Sequence, residues 1–463
     1  MRRIRQFWSA PGGMREVLRL ALPLVISTMS WTVMMFIDRL FLVWHSDLAT
    51  AAALTGGTAH WVAVCLPLGV ASYVNTFVAQ YHGAARPERI GLAVWQGVFL
   101  SLASWPCILA ASLAAPALFG GAGHEPAVVP LEIDYFTTLN YGGGAMVASA
   151  AVSSFFTGRG KVITVMVVDS LAAAANVVLD YCWIFGHCGF PAMGITGAAW
   201  ATNVSLGAKL LIYLALWLRP AHRATFQTWT GCRFDRELCL RILRYGLPTG
   251  LQYAVESGAF FLFVQLLATL GVQATAASLL AFNINSLAFM PVLGIGMAVS
   301  TLVGQALGDN DPRRATRAAW AGFWLAVGLM LPISAAYIFA PDAILYLHQR
   351  HASPAEFGVL RNLVVVLLRF VAAYSLFDAM NIVFSSAIKG AGDTQFILLT
   401  TVAVSGLAVL LTWLGLDLWQ QGLTWCWATV TLWVLLLGAI YLARFLQGKW
   451  QSMRVIEPAA ADA

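Results

Sequence analysis

The sequence predicts an all-α integral membrane protein with twelve transmembrane helices in two parallel six-helix repeats. Three observations support this prediction. Hydrophobic residues make up 60% of the 463 residues and charged residues only 10%, whereas soluble domains carry about 25% charged residues. Apolar runs long enough to cross a bilayer occur along the whole chain, and the second half repeats motifs of the first half.

Each predicted helix is an apolar run that ends at glycine, proline or a group of charged residues. About 20 apolar residues span a bilayer, and a helix satisfies its own backbone polar groups there. Six runs fall in each half, so both halves enter the membrane in the same direction and are predicted to be parallel repeats. The runs are Val17–Trp44, Leu48–Gln80, Ile90–Phe119, Val128–Phe156, Val162–Phe185, Ile195–Leu218, Ile242–Leu270, Ala274–Leu307, Ala315–Phe339, Val359–Ile388, Phe396–Trp419 and Thr424–Phe445.

The two halves share sequence at a spacing of 225 residues. Val74–Gly83 recurs as Val299–Gly308, and both segments end in the pattern Gln-x-x-Gly. At the same spacing Pro23 corresponds to Pro248. Such self-similarity indicates that the halves began as one duplicated unit. Many secondary transporters are built from a duplicated membrane unit.

The distribution of lysine and arginine predicts that both termini are cytoplasmic. With the N-terminus inside, 22 of the 27 basic residues fall in cytoplasmic segments, as the positive-inside rule requires. The longest polar stretch then joins the two halves on the cytoplasmic side. We predict an N-lobe over residues 1–220, a cytoplasmic linker over 221–240 and a C-lobe over 241–463, in a multi-pass protein of the inner (plasma) membrane.

Composition and motifs argue against several other functions. The sequence contains no HExxH pair, no GxSxG turn and no phosphate-binding glycine loop, so we expect no enzymatic activity. We attribute the net charge of +6 to the membrane topology and to contact of basic residues with lipids. We therefore expect no nucleic-acid partner. The seven cysteines are scattered without metal-ligand spacing, and we expect no cofactor.

Carboxylates inside the apolar runs of the first half are candidate functional residues. Each one costs about 2.5–3.5 kcal/mol at the centre of a bilayer. Asp38 lies in the first run, and Asp180 lies in the fifth, four residues after Asn176. Four residues are one helical turn, so Asn176 and Asp180 share a face.

The second half carries a different set of embedded polar residues. Glu256 lies in the seventh run, and Asp378 lies in the tenth with Tyr374 one turn before it. Asn283 and Asn285 of the eighth run add amide groups that can face the same space. These residue types supply the carboxylate, hydroxyl and amide oxygens that a hard cation prefers.

Clustered acids in a membrane bind a cation, or hold a proton until a cation displaces it. We predict Glu256 and Asp378 as ligands of a transported Na⁺ ion if the protein uses sodium. In the alternative interpretation, each acid pairs with an intramembrane base and only locks helices together. The available bases are Arg39, Lys209 and Arg369. We assign structural roles to Asp169, Lys209 and Arg39.

The combined pattern resembles the multidrug and toxic-compound extrusion (MATE) family, and within it the NorM-like branch. The resemblance covers essentially the whole chain. The residues that carry it are Pro23, Asp38, Gln80-x-x-Gly83, Gln305-x-x-Gly308, Gly246-Leu247-Pro248, Glu256, and Asp378 leading into Lys389-Gly390-Ala391-Gly392-Asp393-Thr394.

The resemblance implies two six-helix lobes, V-shaped around a central cavity, that export amphipathic cations in exchange for sodium or protons. The positions that match the C-lobe cation site of NorM-like members are Glu256, Tyr374 and Asp378, to which we add Asn283. The positions that match the N-lobe acidic site of other prokaryotic branches are Asp38, Asn176, Asp180 and Thr202. Because both sets are present, the coupling ion and the coupling lobe stay open.

Two prolines are candidate hinges. Pro23 and Pro248 lie near the starts of the first and seventh runs. Proline removes a backbone hydrogen bond and permits a kink in a helix. A static kink and a moving hinge both agree with this pattern.

We expect a secondary antiporter that exports lipophilic, usually cationic drugs and toxins by alternating access, driven by Na⁺ or H⁺ and acting as a monomer. The main alternative is a flippase for lipid-linked precursors, which needs a cationic cavity for a pyrophosphate group. The embedded acids disfavour that alternative. A channel is a third possibility, but duplicated halves with proline-containing helices favour alternating access.

Overall fold

The computed structural model describes residues 8–121, 123–349 and 354–458. All regular secondary structure within these residues is helical. Residues 1–7, which include three arginines used in the topology prediction, and Arg350 lie outside the described residues.

Twelve long helices, here α1 to α12, lie within the described ranges. They are α1 (Met14–His45), α2 (Asp47–Gly83), α3 (Glu88–Ala111), α4 (Val129–Thr157), α5 (Val162–Phe185), α6 (Gly194–Trp217), α7 (Arg236–Ala268), α8 (Val272–Gly308), α9 (Pro312–Phe339), α10 (Pro354–Ala391), α11 (Thr394–Asp417) and α12 (Leu423–Leu446). Short helices occupy Ser112–Ala114, Ala115–Gly120, Pro220–Phe226, Pro341–Gln349 and Lys449–Ser452.

The helices confirm the predicted all-α membrane fold. Each of the twelve predicted apolar runs corresponds to one long helix, in the same order. Eleven helices in the described part of the chain are long and apolar enough to cross a membrane. The remaining long helix, α4, includes polar side chains such as Glu132 and Asn140, which are buried among its neighbours.

Large apolar side chains on the outside of the helices fit contact with lipid. Phe36, Leu211 and Leu399 are 66%, 68% and 69% exposed, respectively. Apolar surface of this extent would be a liability in water, whereas hydrocarbon is a favourable solvent for it.

The chain forms two compact units. The N-unit comprises Ile26–Tyr253, Gly304–Asn310 and the described part of Arg454–Ala463. The C-unit comprises the described part of Met1–Val25, together with Ala254–Val303 and Asp311–Met453. Three of the five boundaries fall inside α1, α7 and α8. The predicted division into lobes at residues 221–240 stays a prediction.

Each unit has its own core. In the N-unit, α4 packs against α2, α3 and α6, and α5 packs against α6; the buried core there includes Leu42, Tyr135 and Ile184. In the C-unit, α10 packs against α9 and α12, around a core that includes Tyr374 and Trp427.

The repeated Gln-x-x-Gly motif marks a close approach between the ends of α2 and α8 in the N-unit. A Cβ atom on Gly83 would overlap the carbonyl group of Gln305, and one on Gly308 would overlap the carbonyl group of Gln80. Gln305 also donates a hydrogen bond from Nε2 to the Gly158 carbonyl at 2.8 Å. The glycines therefore permit this contact between helices.

Asp169 of α5 joins three helices of the N-unit. Its carboxylate accepts hydrogen bonds from Ser27 of α1 and, at 2.8 Å, from the Tyr213 hydroxyl of α6. Lys209 Nζ of α6 lies 2.9 Å from Asp169 Oδ1. Beside this group, Ser30 and Ser170 hydroxyls are 2.9 Å apart. Asp169 thereby holds α1 against α5 and α6 at Ser27, which lies eleven residues before Asp38.

Gly83→Ala should destabilise the protein by about 1–3 kcal/mol, because the added methyl group forces the backbones of α2 and α8 apart. Gly207→Ala on α6 is the matched control: nothing lies within 4 Å of the added Cβ atom. Replacing a helical glycine by alanine in open space should stabilise by about 0.5–1 kcal/mol. Thermal unfolding in detergent measures both; equal effects of the two substitutions would contradict the close-approach argument.

Asp169→Asn and Lys209→Met should each lower the stability of the N-unit by about 1–3 kcal/mol, because each leaves a partly buried charge without its partner. The double variant should cost less than the sum of the two. Lys449→Met, which removes an exposed lysine, should leave the unfolding temperature unchanged. Additive effects of the two substitutions would show that the pair does not interact.

Candidate functional site

The N-unit contains a buried polar group that we call the N-cluster: Asp38, Tyr135, Asn176, Asp180 and Thr202. Asp38 is 5% exposed, and Asn176 and Asp180 are fully buried. Asp38 and Asp180 lie close enough to interact electrostatically, and both act on the Tyr135 hydroxyl. The fold thus brings the predicted first-half residues together from α1, α5 and α6, and adds Tyr135 from α4.

Asn176 connects two members of the N-cluster. With its amide nitrogen oriented toward Asp180, Asn176 donates a hydrogen bond to Asp180 Oδ2 at 2.9 Å. In the same orientation its amide oxygen accepts from the Thr202 backbone N–H at 3.2 Å. We assign this orientation because it satisfies both polar atoms of the amide. Asn176 and Asp180 interact along one face of α5, as their spacing predicts.

The N-cluster has spare capacity to bind a cation. Asp38 Oδ1 and Asp180 Oδ1 are buried, and neither has a hydrogen-bond partner among the described residues. Buried carboxylate oxygens are costly unless a donor or a cation approaches them. Two such oxygens from acids that repel each other favour an added proton or metal ion between them.

Arg39 only partly offsets the charge of the N-cluster. It acts electrostatically on Asp38, but its own side chain is exposed. Adjacent residues of a helix point about 100° apart, so Arg39 is directed away from the buried face that holds Asp38. This placement agrees with the structural role assigned to Arg39 from the sequence.

The C-unit contains a second polar group, the C-cluster: Glu256, Asn285, Tyr374, Asp378, Asn381 and Lys389. Tyr374 is 3% and Asp378 6% exposed. Glu256 and Asn381 both lie close enough to the Asp378 carboxylate to act on it electrostatically. Three of the four predicted second-half residues therefore lie in one group.

The asparagine that contacts Tyr374 is Asn285 and not Asn283. Asn285 Nδ2 lies 3.5 Å from the Tyr374 hydroxyl, whereas the Asn283 side chain is exposed. Residues two apart on a helix differ by about 200° in direction, so only one of the two asparagines can face this group. Asn285 takes the place that the sequence analysis gave to Asn283.

Lys389 is a base that the sequence analysis did not connect with the acids. It lies in the last turn of α10 and interacts electrostatically with Glu256. The spacing to Asp378 is eleven residues, or three helical turns, which places both on one face of α10. Asn381 likewise lies three residues after Asp378. These two spacings on α10 allow Lys389 and Asn381 to be identified from the sequence.

The two candidate hinge prolines lie inside long helices, as predicted. Pro23 interrupts α1 and Pro248 interrupts α7. Pro23 belongs to the C-unit, two residues before the unit boundary in α1, and Pro248 belongs to the N-unit, five residues before the boundary in α7. The choice between a static kink and a moving hinge stays a prediction.

Comparison with known proteins gives a consistent result. The sequence model of the MatE family matches residues 23–182 and 248–414. The multidrug resistance protein NorM of Burkholderia vietnamiensis is 30% identical over 384 residues, covering 82% of either chain. The probable multidrug resistance protein NorM of Thermotoga maritima is 25% identical over 447 residues, covering 96% of this chain and 94% of that protein.

Solved structures share the fold. A MOP superfamily transporter from Pyrococcus furiosus, described as having a binding pocket of reverse polarity, superposes with a TM-score of 0.86 at 22% identity over 97% of this chain and 98% of that chain. The outward-facing structure of a multidrug resistance MATE family transporter gives a TM-score of 0.85 at 22% identity, with the same coverage.

The family match spans both repeats, includes Asp38, Asp180, Glu256 and Asp378, and covers well over half of the chain. The fold has the twelve long helices that the sequence predicts. This chain is therefore a multi-pass membrane protein that belongs to the MatE family of multidrug efflux transporters.

Proposed function

We propose that the protein is a secondary antiporter that exports lipophilic, usually cationic compounds in exchange for Na⁺ or H⁺ by alternating access. The observation that supports this most strongly is the N-cluster, in which two buried acids each keep one carboxylate oxygen without a hydrogen-bond partner among the described residues. A site of this kind stabilises a cation or a proton, and a family of multidrug exporters supplies the class of cargo.

Exchange follows from competition for negative charge. A cationic compound and a coupling ion both lower the free energy of the buried acids, and the acids cannot be satisfied by both at once. Binding of one therefore promotes release of the other. A membrane potential supplies about 2.3 kcal/mol per charge per 100 mV, or about a fifty-fold concentration ratio for one net charge moved inward.

We assign the coupling ion to the N-cluster. In the C-cluster, Lys389 already lies within electrostatic reach of Glu256. In the N-cluster the base that acts on Asp38 is Arg39, whose side chain is exposed. The need for an added cation is therefore greater at Asp38 and Asp180, so we assign the competition between coupling ion and exported cation to the N-cluster, and Glu256 and Asp378 to a second cation-binding site.

The proposed setting is the inner membrane, with both termini in the cytoplasm and the protein acting as a monomer among lipids. The positive-inside distribution of lysine and arginine supports this orientation. In this orientation the start of α1 and the end of α2 are cytoplasmic, and Asp38 and Asp180 lie in the outer halves of their helices.

Efflux of ethidium from proteoliposomes tests the proposal, with a sodium gradient and a pH gradient imposed separately. Wild type should export the dye under at least one gradient. Asp38→Asn and Asp180→Asn should lower that gradient-driven rate about tenfold or more, equivalent to about 1.4 kcal/mol. Asp134→Asn is the matched control, because Asp134 is an exposed aspartate of α4, and it should transport at the wild-type rate.

Variants of the second-half acids test whether coupling and substrate binding use different residues. Glu256→Gln and Asp378→Asn should raise the dye concentration needed for half-maximal transport while leaving the choice between sodium and protons unchanged. Loss of the gradient response in these variants alone, with normal coupling in Asp38→Asn, would move the coupling site to the C-cluster. Failure to export any cation under either gradient would overturn antiport and favour a flippase.

A further inference from the structure

The segment Arg454–Glu457 follows the last long helix and lies against the ends of α2 and α3 within the N-unit. Val455 is 1% exposed, and its backbone N–H donates a hydrogen bond to Gln80 Oε1 at 2.8 Å. Gln80 is the glutamine of the repeated Gln-x-x-Gly motif and is itself fully buried. The C-terminal segment is thus seated on a specific side chain.

The carboxylate of Glu457 is surrounded by one hydroxyl and three guanidinium groups, which we call the arginine cluster: Tyr81, Arg86, Arg89 and Arg241. Arg86 Nη2 lies 2.6 Å and Arg89 Nε 3.1 Å from Glu457 Oε1. The Tyr81 hydroxyl donates to Oε2 at 2.7 Å, and Arg241 Nη1 lies 3.7 Å from the same oxygen. Arg86 Nη1 also donates to the Glu457 carbonyl at 3.0 Å.

The internal repeat explains why a carboxylate is needed at this place. At the spacing of 225 residues, Arg89 corresponds to Arg314, and Arg241 corresponds to Glu16. In the C-unit, Arg314 Nη2 pairs with Glu16 Oε1 at 2.7 Å. In the N-unit the equivalent positions are both arginines, which repel each other. Glu457 contacts both and supplies the negative charge that the repeat position lacks.

Other acids near these arginines do not replace Glu457. Asp235 Oδ2 lies 3.7 Å from Arg89. Glu237 pairs with Arg241 at 2.9 Å, but its side chain is 76% exposed, and exposed pairs contribute little to stability. Glu457 is the carboxylate that contacts three arginines and a buried tyrosine hydroxyl at once.

We propose that the arginine cluster is a carboxylate-binding site whose ligand is Glu457 of the chain's own C-terminal segment. The bound carboxylate holds the start of α7 beside α3 by neutralising the repulsion between Arg241 and Arg89. Since α7 continues to Pro248 within the N-unit, the C-terminal segment positions the first turns of the helix that carries this candidate hinge. This assignment does not depend on which compound or coupling ion is transported.

The contact between Glu457 and the arginine cluster holds across the neutral pH range. Burial raises the pKa of the Glu457 carboxyl, but the hydrogen bond from Tyr81 and the charges of Arg89 and Arg86 outweigh it, so this pKa lies below its ordinary value. A lowered folded-state pKa means that the stabilisation is present above the unfolded value of about 4.3 and is lost only as the pH falls through the folded value. The groups that face Glu457 are Tyr81, Arg86, Arg89 and Arg241, with Asp235 and Glu237 beyond them.

Full-length variants in detergent test the contact between Glu457 and the arginine cluster. The two readouts are hydrogen exchange of the segment containing Val455 and the unfolding temperature. Glu457→Gln should accelerate exchange of the 454–457 amides about tenfold or more, because it releases the hydrogen-bonded segment. The same variant should lower the unfolding temperature by about 2–4 °C. Glu457→Asp should retain both properties in part, and Glu237→Gln, which removes an exposed acid one helical turn before Arg241, should retain them fully.

The decisive variant is Glu457→Gln combined with Arg241→Glu, which recreates in the N-unit the acid–arginine pair of the C-unit. Its unfolding temperature should return toward that of wild type, while exchange of residues 454–457 stays fast. Unchanged exchange in Glu457→Gln, or a double variant no more stable than Glu457→Gln alone, would overturn the proposal. Neither readout involves transport, so failure here is distinct from failure of the antiporter proposal.

Discussion

Burial of carboxylates in apolar helices is the constraint on which the account of this protein depends. Asp38, Asp180 and Asp378 are each at most 6% exposed, in helices that have the length and composition to cross a membrane. Hydrocarbon offers no water to solvate their charge, so each acid must find a donor, a base, a proton or an ion. Asp378 has Asn381 and Glu256 as polar neighbours, whereas Asp38 and Asp180 each keep an oxygen without a hydrogen-bond partner among the described residues. The protein is thereby poised to exchange cations.

The duplicated halves use one helical plan for different chemistry. At the repeat spacing, Asp38 corresponds to Phe263, and Glu256 corresponds to Trp31. Each unit has therefore acquired acids that the other lacks, while the prolines, the Gln-x-x-Gly ends and the arginine of the third helix in each half are retained. The same divergence places Glu16 in one half and Arg241 in the other, and the C-terminal Glu457 supplies the carboxylate that the Arg241 position lacks. Secondary structure and close helix contacts follow from the repeat, but the polar groups do not.

The sequence predicted most of the fold because membrane helices are specified locally. Length and hydropathy define each helix, and the twelve predicted runs match the observed helices to within a few residues at most ends. Spacing alone also predicts which polar residues share a face of one helix. Asn176 with Asp180, and Tyr374 with Asp378, are such pairs. Thr202, which only the family resemblance suggested, lies where Asn176 contacts it.

Contacts between helices were harder to predict. Tyr135 joins the N-cluster from α4, and nothing in the local sequence of α4 indicates which neighbour it faces. Asn285 rather than Asn283 reaches Tyr374, because the rotation of α8 about its axis is set by tertiary packing. Lys389 entered the sequence analysis only as part of the motif after Asp378, although its position three turns after Asp378 places it on the same face. Glu457 lies in a short segment whose partners are more than 200 residues away in sequence.

Equilibrium binding of ethidium to purified protein in detergent tests the central claim most directly, because it separates competition at the acids from membrane driving forces. Fluorescence anisotropy gives the dissociation constant as sodium concentration and pH are varied independently. The account predicts that added Na⁺ or a lower pH weakens binding of the dye, and that replacing Asp38 and Asp180 together by asparagine abolishes this dependence. A dissociation constant that is unchanged by both ions in wild type would contradict exchange through shared carboxylates.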